Sequence, residues 1–232
     1  MAASNILVLG ATGPAGICVL RELLLRHHST VAYVRNASKL PDDLLKNPLL
    51  KVIEGQMEDT TRLNTAVSST SAIISLLGPV GKTSGEFPFP GYYSALFPMM
   101  RQHSVARILA MGTISIEDVG DRSSLLRGLL VGGVRYGFAA AYRTILRIAA
   151  VFQQEAEGLD WTIFRLGMVQ GGHDEESWKQ DRDDRIFSGP VGEVGWTWKI
   201  RRGALAKWLV DRIEDRDTIP GGKMPALSCH KE

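Results

Sequence analysis

The feature that most constrains this chain lies in its first sixteen residues. Asn5-Ile-Leu-Val-Leu is a short apolar run that passes directly into Gly10-Ala-Thr-Gly13-Pro-Ala-Gly16, and an apolar periodic stretch begins at Ile17. A buried strand that enters a glycine turn and leaves it as a helix opens a βαβ unit. Gly10 permits the tight turn, Gly13 lets a ligand approach the backbone, and Gly16 allows close packing of helix on strand. Pro14 suits the first helical turn, where its missing N–H costs nothing. The first amides of such a helix have no intrahelical acceptor and lie at the positive end of the dipole, so the turn can receive a pyrophosphate. A tight turn without a ligand is the plain alternative.

The same rhythm continues along the chain. Apolar runs rich in β-branched residues at Ile6–Leu9, Thr30–Val34, Lys51–Ile53, Ala72–Leu77, Ala106–Met111 and Trp161–Phe164 read as strands. Their near-continuous apolarity suits strands buried on both faces. Helices are expected at 14–27, 59–67, 91–102, 141–157 and 202–214. Alternation of this kind specifies an α/β fold with a doubly wound parallel sheet. With 232 residues, 44% hydrophobic and 22% charged, residues 1–232 form one domain with a sizeable core. Three stretches break the pattern: 78–91, rich in Gly and Pro, then 118–140, part of it helical, and the mixed-charge 171–195. All follow strands, where ligands of open α/β sheets bind. They are the expected substrate walls, with 171–200 and the C-terminal segment on the substrate side.

Composition excludes several classes. Lys and Arg total 27 against 25 Asp and Glu, leaving +2, which carries no bulk nucleic-acid footprint. Two cysteines, Cys18 and Cys229, make neither a disulfide framework nor a cysteine-rich zinc site. The acidic run from Asp174 to Asp184 is interleaved with Lys179, Arg182 and Arg185, so no metal site is expected. His27, His28 and His103 fall at helix ends, and of the histidines His173 alone is well placed, after the sixth strand. Trp178, Trp196 and Trp198 read as core or lid packing. The run Leu125–Ala141 is interrupted by Arg127 and Arg135, and no segment reaches the ~18 apolar residues of a membrane span. Gly78-Pro-Val-Gly81-Lys82-Thr83 ends like a nucleotide-triphosphatase loop, but Leu76 stands at the first glycine position and Pro88 and Pro90 follow. A cytoplasmic protein is expected, monomer or homodimer, with a small-molecule substrate and neither nucleic acid nor membrane as partner.

The Gly-x-x-Gly-x-x-Gly spacing resembles the atypical short-chain dehydrogenase/reductases, which include NmrA-like proteins and the biliverdin-reductase-B/flavin-reductase group. Val34-Arg-Asn-Ala-Ser-Lys-Leu-Pro41 resembles that family's segment after the second strand. Val52-Ile-Glu-Gly-Gln-Met-Glu-Asp59 resembles its third-strand exit, with Gln56 where Asp is usual, and Leu159-Asp-Trp-Thr-Ile-Phe-Arg-Leu-Gly167 its sixth strand, with Leu166 where Pro is usual. The resemblance implies a Rossmann-type fold and a nicotinamide dinucleotide. It places Gly10, Thr12, Gly13, Pro14, Ala15 and Gly16 at the pyrophosphate and Arg35, Asn36 and Lys39 at the adenosine ribose. Gln56, Met57, Leu76, Leu77, Gly78, Gly112, Leu166, Gly167 and Met168 complete the cofactor site. An NAD enzyme needs a carboxylate at the end of the second strand and an NADP enzyme an arginine. Arg35 stands there, with no carboxylate until Asp42, so NADP(H) is expected.

Typical members of the wider superfamily use Tyr-x-x-x-Lys as proton donor. The residues four after the five tyrosines are Ala37, Leu96, Phe97, Ala140 and Leu146, so the dyad is absent. Thr113 and Ser115, after the fifth strand, offer hydroxyls where the family places them near the nicotinamide. Tyr142 and Arg143 stand where relatives often have Tyr-Lys; an arginine there stabilises negative charge but gives up no proton at neutral pH. The expected activity is an NADPH-dependent reductase that passes a hydride to a small aromatic or conjugated carbonyl, quinone or enone. The alternatives are a cyclase or isomerase with little or no redox role, and a non-catalytic NADP-sensing regulator of the NmrA-like kind.

Overall fold

Strands apolar on both sides need cover on both faces, and the computed structural model, which describes residues 5–79, 87–122, 125–215 and 221–230, provides it. In chain order β1 (Asn5–Leu9) leads to α1 (Pro14–Leu25), β2 (Thr30–Val34), α2 (Asp42–Leu45), β3 (Leu50–Glu54) and α3 (Thr60–Ser68). Then come β4 (Thr70–Ser75), α4 (Phe89–Gln102), β5 (Arg107–Thr113), α5 (Leu125–Gly137), α6 (Ala139–Glu155) and β6 (Asp160–Leu166). The chain continues through β7 (Met168–Gln170), α7 (Glu175–Asp181), β8 (Ile186–Gly189), β9 (Lys199–Arg201), α8 (Arg202–Glu214) and β10 (Ala226–Cys229).

The main sheet runs β3-β2-β1-β4-β5-β6-β10-β8, parallel except for β8, while β7 and β9 pair separately. Alternate residues of β1 face opposite cores, as the period of two demands. Ile6 and Val8 pack with α1 and α8. Leu7 and Leu9 pack with α3, α4 and α6. Strand order reverses between β1 and β4, which opens a crevice at their carboxyl ends.

The expected strands and long helices are present within a few residues. The helix expected within 118–140 is α5, while 171–195 is more ordered than its sequence suggests, since it contains α7 and β8. The C-terminal segment supplies β10, parallel to β6 and antiparallel to β8. Helix α7 is set locally, with Asp174 as its N-cap and Glu175 and Glu176 in its first turn, whereas β8 takes its conformation from β10 beside it. Among the described residues no helix is long and apolar enough to cross a membrane.

One buried ion pair ties the segments after β5 and β8 to the sheet. Arg165 of β6 is wholly buried, and its guanidinium donates to both Asp121 carboxylate oxygens at 2.6 and 2.8 Å and to the Ile116 carbonyl at 2.8 Å. Its Nε donates to the Met224 carbonyl, and Asp121 Oδ1 also accepts the Val191 N–H at 2.9 Å. The segment after β5, strand β6, the approach to β10 and the segment after β8 therefore share one cluster. Burial pushes the Asp121 carboxyl up, but the Arg165 hydrogen bonds and the Val191 amide outweigh it and hold the group below the ordinary aspartate range.

Removing one partner of a buried pair costs about 3–5 kcal/mol. Asp121→Asn should lower stability by an amount of that order at pH 7. A depressed folded-state pKa contributes stability above the unfolded value, and that stability disappears as pH falls through the folded one. The gap between parent and variant should therefore narrow below pH about 4. Urea unfolding of both proteins at pH 7 and pH 3 measures it.

Candidate functional site

The crevice begins where β1 ends. Gly10 has φ +77°, and a Cβ there would lie 3.0 Å from the Leu76 carbonyl carbon and oxygen. Gly16 is required by the turn itself rather than by strand packing, because its Cβ would fall 2.4 Å from the Gly10 oxygen. Gly13 differs from both. Its φ of −74° is open to any residue, and a Cβ would meet only the Gly10 oxygen, at 3.4 Å. Its amide donates to that oxygen at 3.1 Å, and no side chain caps α1. The Ala15 and Gly16 amides lie in the first helical turn, which has no intrahelical acceptors. Thr12, Pro14 and Ala15 are partly or fully exposed around them. This open cradle of donors fits a pyrophosphate.

Arg35, Asn36 and Lys39 follow β2 and are all exposed. Asn36 is committed locally: its Oδ1 accepts the Ser38 N–H at 2.9 Å and the Ser38 hydroxyl at 2.7 Å, capping a one-turn helix over Ala37–Lys39. Arg35 makes no side-chain hydrogen bond or ion pair among the described residues, though it lies within electrostatic reach of Glu58 and Tyr92. The Tyr92 hydroxyl donates to Glu58 and, with Arg35 further off, holds that carboxyl below its usual range. Burial first, and Glu58 second, push the Tyr92 phenol up to about 12. The exposed Gln56 offers its carbonyl to the Tyr33 hydroxyl at 2.7 Å, and Met57 rests half-buried against the core.

At the other end, Leu76, Leu77 and Gly78 continue β4 past the crevice, and the Leu76 amide donates to Leu9 at 2.9 Å. Beyond them lies a cavity of about 360 Å³. Thr113, Ile114 and Ser115 of the β5 end form its floor, and Leu166, Gly167 and Met168 one side. Val131 and Val134 of α5 cover it, and Trp198 closes it. The Ser115 amide donates to Thr113 Oγ1 at 3.3 Å, and Ser115 itself is buried. Gly167 lets Trp198 cross close by: a Cβ there would be 2.3 Å from the Trp198 oxygen, which accepts the Met168 N–H at 2.7 Å.

Several expected residues sit elsewhere. Tyr142 and Arg143, in the first turns of α6, do not line this cavity. Gly112 is packed within the sheet, where its Cβ would meet the side chains of Ile163 at 2.6 Å and Ile116 at 2.8 Å. His173 is exposed, and its carbonyl accepts from Arg21. Most of the loop-like motif Gly78–Thr83 lies outside the described residues. Among the described residues no cluster suits a metal ion. Trp198, one of the tryptophans read as core or lid packing, lines the cavity, while the two valines carry no sequence signal of their role, since valines in a glycine-rich helix do not show which cavity they border.

The turn makes a sharp distinction between two glycines. Gly13→Val should unfold within about 1 kcal/mol of the parent, as surface changes usually do, while losing dinucleotide binding because the new side chain enters the cradle. Gly16→Val should cost more than 1–3 kcal/mol, since overpacking against backbone has little room to relax. Thermal melts with and without nucleotide separate the two effects.

Known structures share this architecture at low sequence identity. A short-chain dehydrogenase/reductase from Veillonella parvula, solved in complex with NADP, superposes with a TM-score of 0.74 at 15% identity, covering 98% of this chain and 97% of its own. An anaerobillin reductase from Escherichia coli O157:H7 gives 0.71 at 16% identity, covering 97% of each chain. A Rossmann-fold NAD(P)-binding family protein from Shigella flexneri gives 0.69 at 15% identity, covering 99% of this chain and 98% of its own. These likenesses show the fold. The sequence has no match among curated proteins. Residues 10–216, from the glycine turn to just past α8, match the NAD(P)H-binding family, and the chain belongs to it.

Proposed function

We propose that this protein is an NADPH-dependent reductase that passes a hydride to a small aromatic or conjugated acceptor, a quinone, enone or aromatic carbonyl. The observation that carries this reading is the cavity beside Thr113 and Leu166–Met168, whose lining, among the described residues, holds hydroxyls and apolar groups but no side chain that titrates near neutrality. A substrate reduced there takes its proton from water, which suits acceptors whose added negative charge is delocalised. The apolar walls favour a flat, unsaturated molecule. The anaerobillin reductase among the structural neighbours is consistent with such a substrate.

The chain's own residues divide the work. The amides after Gly13 hold the pyrophosphate. Arg35, uncommitted among the described residues and backed by Lys39, pairs with the ribose 2′-phosphate. Thr113, half-exposed at the end of β5, donates a hydrogen bond to the acceptor's oxygen and orients it. Val131, Val134 and Trp198 limit water at the reacting face. When bound, the nicotinamide supplies the hydride.

Purified protein should oxidise NADPH in the presence of quinones, flavins or enones, and a broad panel without turnover would refute the reading. Charge-assisted hydrogen bonds are worth about 1.5–3 kcal/mol each. Arg35→Ala should therefore weaken NADPH by ~10- to 100-fold while shifting NADH by less than ~3-fold. Adding Lys39→Ala removes the nearby cation and makes the comparison cleaner. Equal losses for both nucleotides would mean that Arg35 reads no phosphate. Thr113→Val should lower kcat/KM by about tenfold, the worth of one hydrogen bond, with NADPH affinity unchanged.

A further inference from the structure

We propose that Glu54 sets the cofactor preference by competing with the 2′-phosphate: its carboxylate occupies the Ala37 amide, a donor the phosphate needs, and so restrains the preference that Arg35 creates. This rests on the assignment of Arg35 to the ribose.

The geometry comes from the paired ends of two strands. Glu54 closes β3 in register with Val34, the last residue of β2, and the Gly55 N–H donates to the Val34 carbonyl at 2.9 Å. This joint brings the Glu54 side chain back over the turn that follows Arg35. Its Oε1 accepts the Ala37 N–H at 2.5 Å. The next amide, of Ser38, goes to Asn36 Oδ1. Both successive amides after Arg35 and Asn36 thus end on side-chain oxygens of the chain itself, one neutral and one anionic.

The surrounding charges are balanced. Arg35 and Lys39 are the cations facing this turn. Arg62 is engaged by the Glu54 carbonyl at 2.9 Å and by Asp59 at 3.3 Å. Glu58, held by Tyr92, is a second carboxylate within electrostatic reach of Arg35. A dianionic phosphate beside Arg35 must displace the Glu54 carboxylate from Ala37 and then sit a few ångströms from it. A ribose 2′-hydroxyl requires no displacement and can donate to that carboxylate. Glu54 therefore penalises NADPH and leaves NADH unharmed, so the two cofactors bind more equally than Arg35 alone would make them.

Glu54→Gln removes the charge but keeps an acceptor for the Ala37 N–H, whereas Glu54→Ala also frees that amide, so the pair separates repulsion from occupancy of the donor. NADPH and NADH are titrated by fluorescence against the parent, Glu54→Gln, Glu54→Ala and Arg35→Ala, with a melt of each protein. Charges about 5 Å apart near a surface predict that Glu54→Gln tightens NADPH by ~10-fold and changes NADH by less than ~3-fold. Glu54→Ala should gain for NADPH in the same direction. Unchanged NADPH affinity, or an equal gain for both nucleotides, would overturn the proposal. Arg35→Ala tests the underlying assignment separately: equal losses there would sink the phosphate reading, whereas a selective loss with a silent Glu54→Gln would sink only the role of Glu54.

Discussion

At the carboxyl end of β1 the chain runs against the Leu76 carbonyl, and a Cβ at Gly10 would lie only 3.0 Å from it. A residue without a side chain, in the left-handed region, can leave the strand there. That single exit aims the start of α1 across the gap between β1 and β4, where the strand order reverses. The crevice, the free amides and the distance to the ends of β5 and β6 all depend on it. Gly16 closes the same turn from the helix side, while Gly13 is left with nothing to pack against but the Gly10 oxygen. Within one motif, two glycines are needed by the fold and the third by what the fold leaves open.

The substrate half is held by different forces. Its segments are short and charged, and besides burying Trp178, Val191 and Ile200 they are fastened by ion pairs. Arg182 reaches the fully buried Glu22 of α1 at 2.9 Å, and Arg201 reaches the buried Asp181 of α7 at 2.6 Å. Arg165 and Asp121 do the same for the loop after β5. Buried pairs of this kind add little net stability compared with an apolar core, but each is costly to break. They secure one arrangement of the walls rather than a stronger one.

This difference explains which parts were legible in the sequence. The apolar runs of β1, β2, β4 and β6 face two cores, so their composition alone marks them. The glycine turn was readable because its chemistry is local: strand, turn and helix are contiguous. By contrast, β8 is Ile186–Gly189 at the end of a charged run and β10 is Ala226–Cys229 near the chain end, and each is a strand because the other lies beside it. Helix α5 was expected within 118–140, but Gly128, Gly132 and Gly133 in its interior are each unfavourable there, so its bounds were not legible. Arg165 was visible as a charge inside an apolar strand, yet its partner Asp121 lies 44 positions away and no spacing points to it. Tyr142 and Arg143 were placed by analogy with a dyad, and they are not among the residues that line the cavity by Thr113.

The two ends of the site therefore read charge in opposite ways. The proposed adenosine end is exposed, so each charge there is screened by water. On that reading cofactor preference is the balance of Arg35 and Lys39 against Glu54 and Glu58, and one neutralised carboxylate shifts it by about tenfold. The cavity by Thr113 is apolar, and in such surroundings an unpaired charge is expensive. A titratable donor placed there would have to be paired or neutral, and the lining contains none. On the proposed reading, hydride acceptance there favours molecules that carry the resulting electron density in their own conjugated system until water protonates them, as quinones and enones do, over isolated ketones, whose alkoxide has nowhere to delocalise.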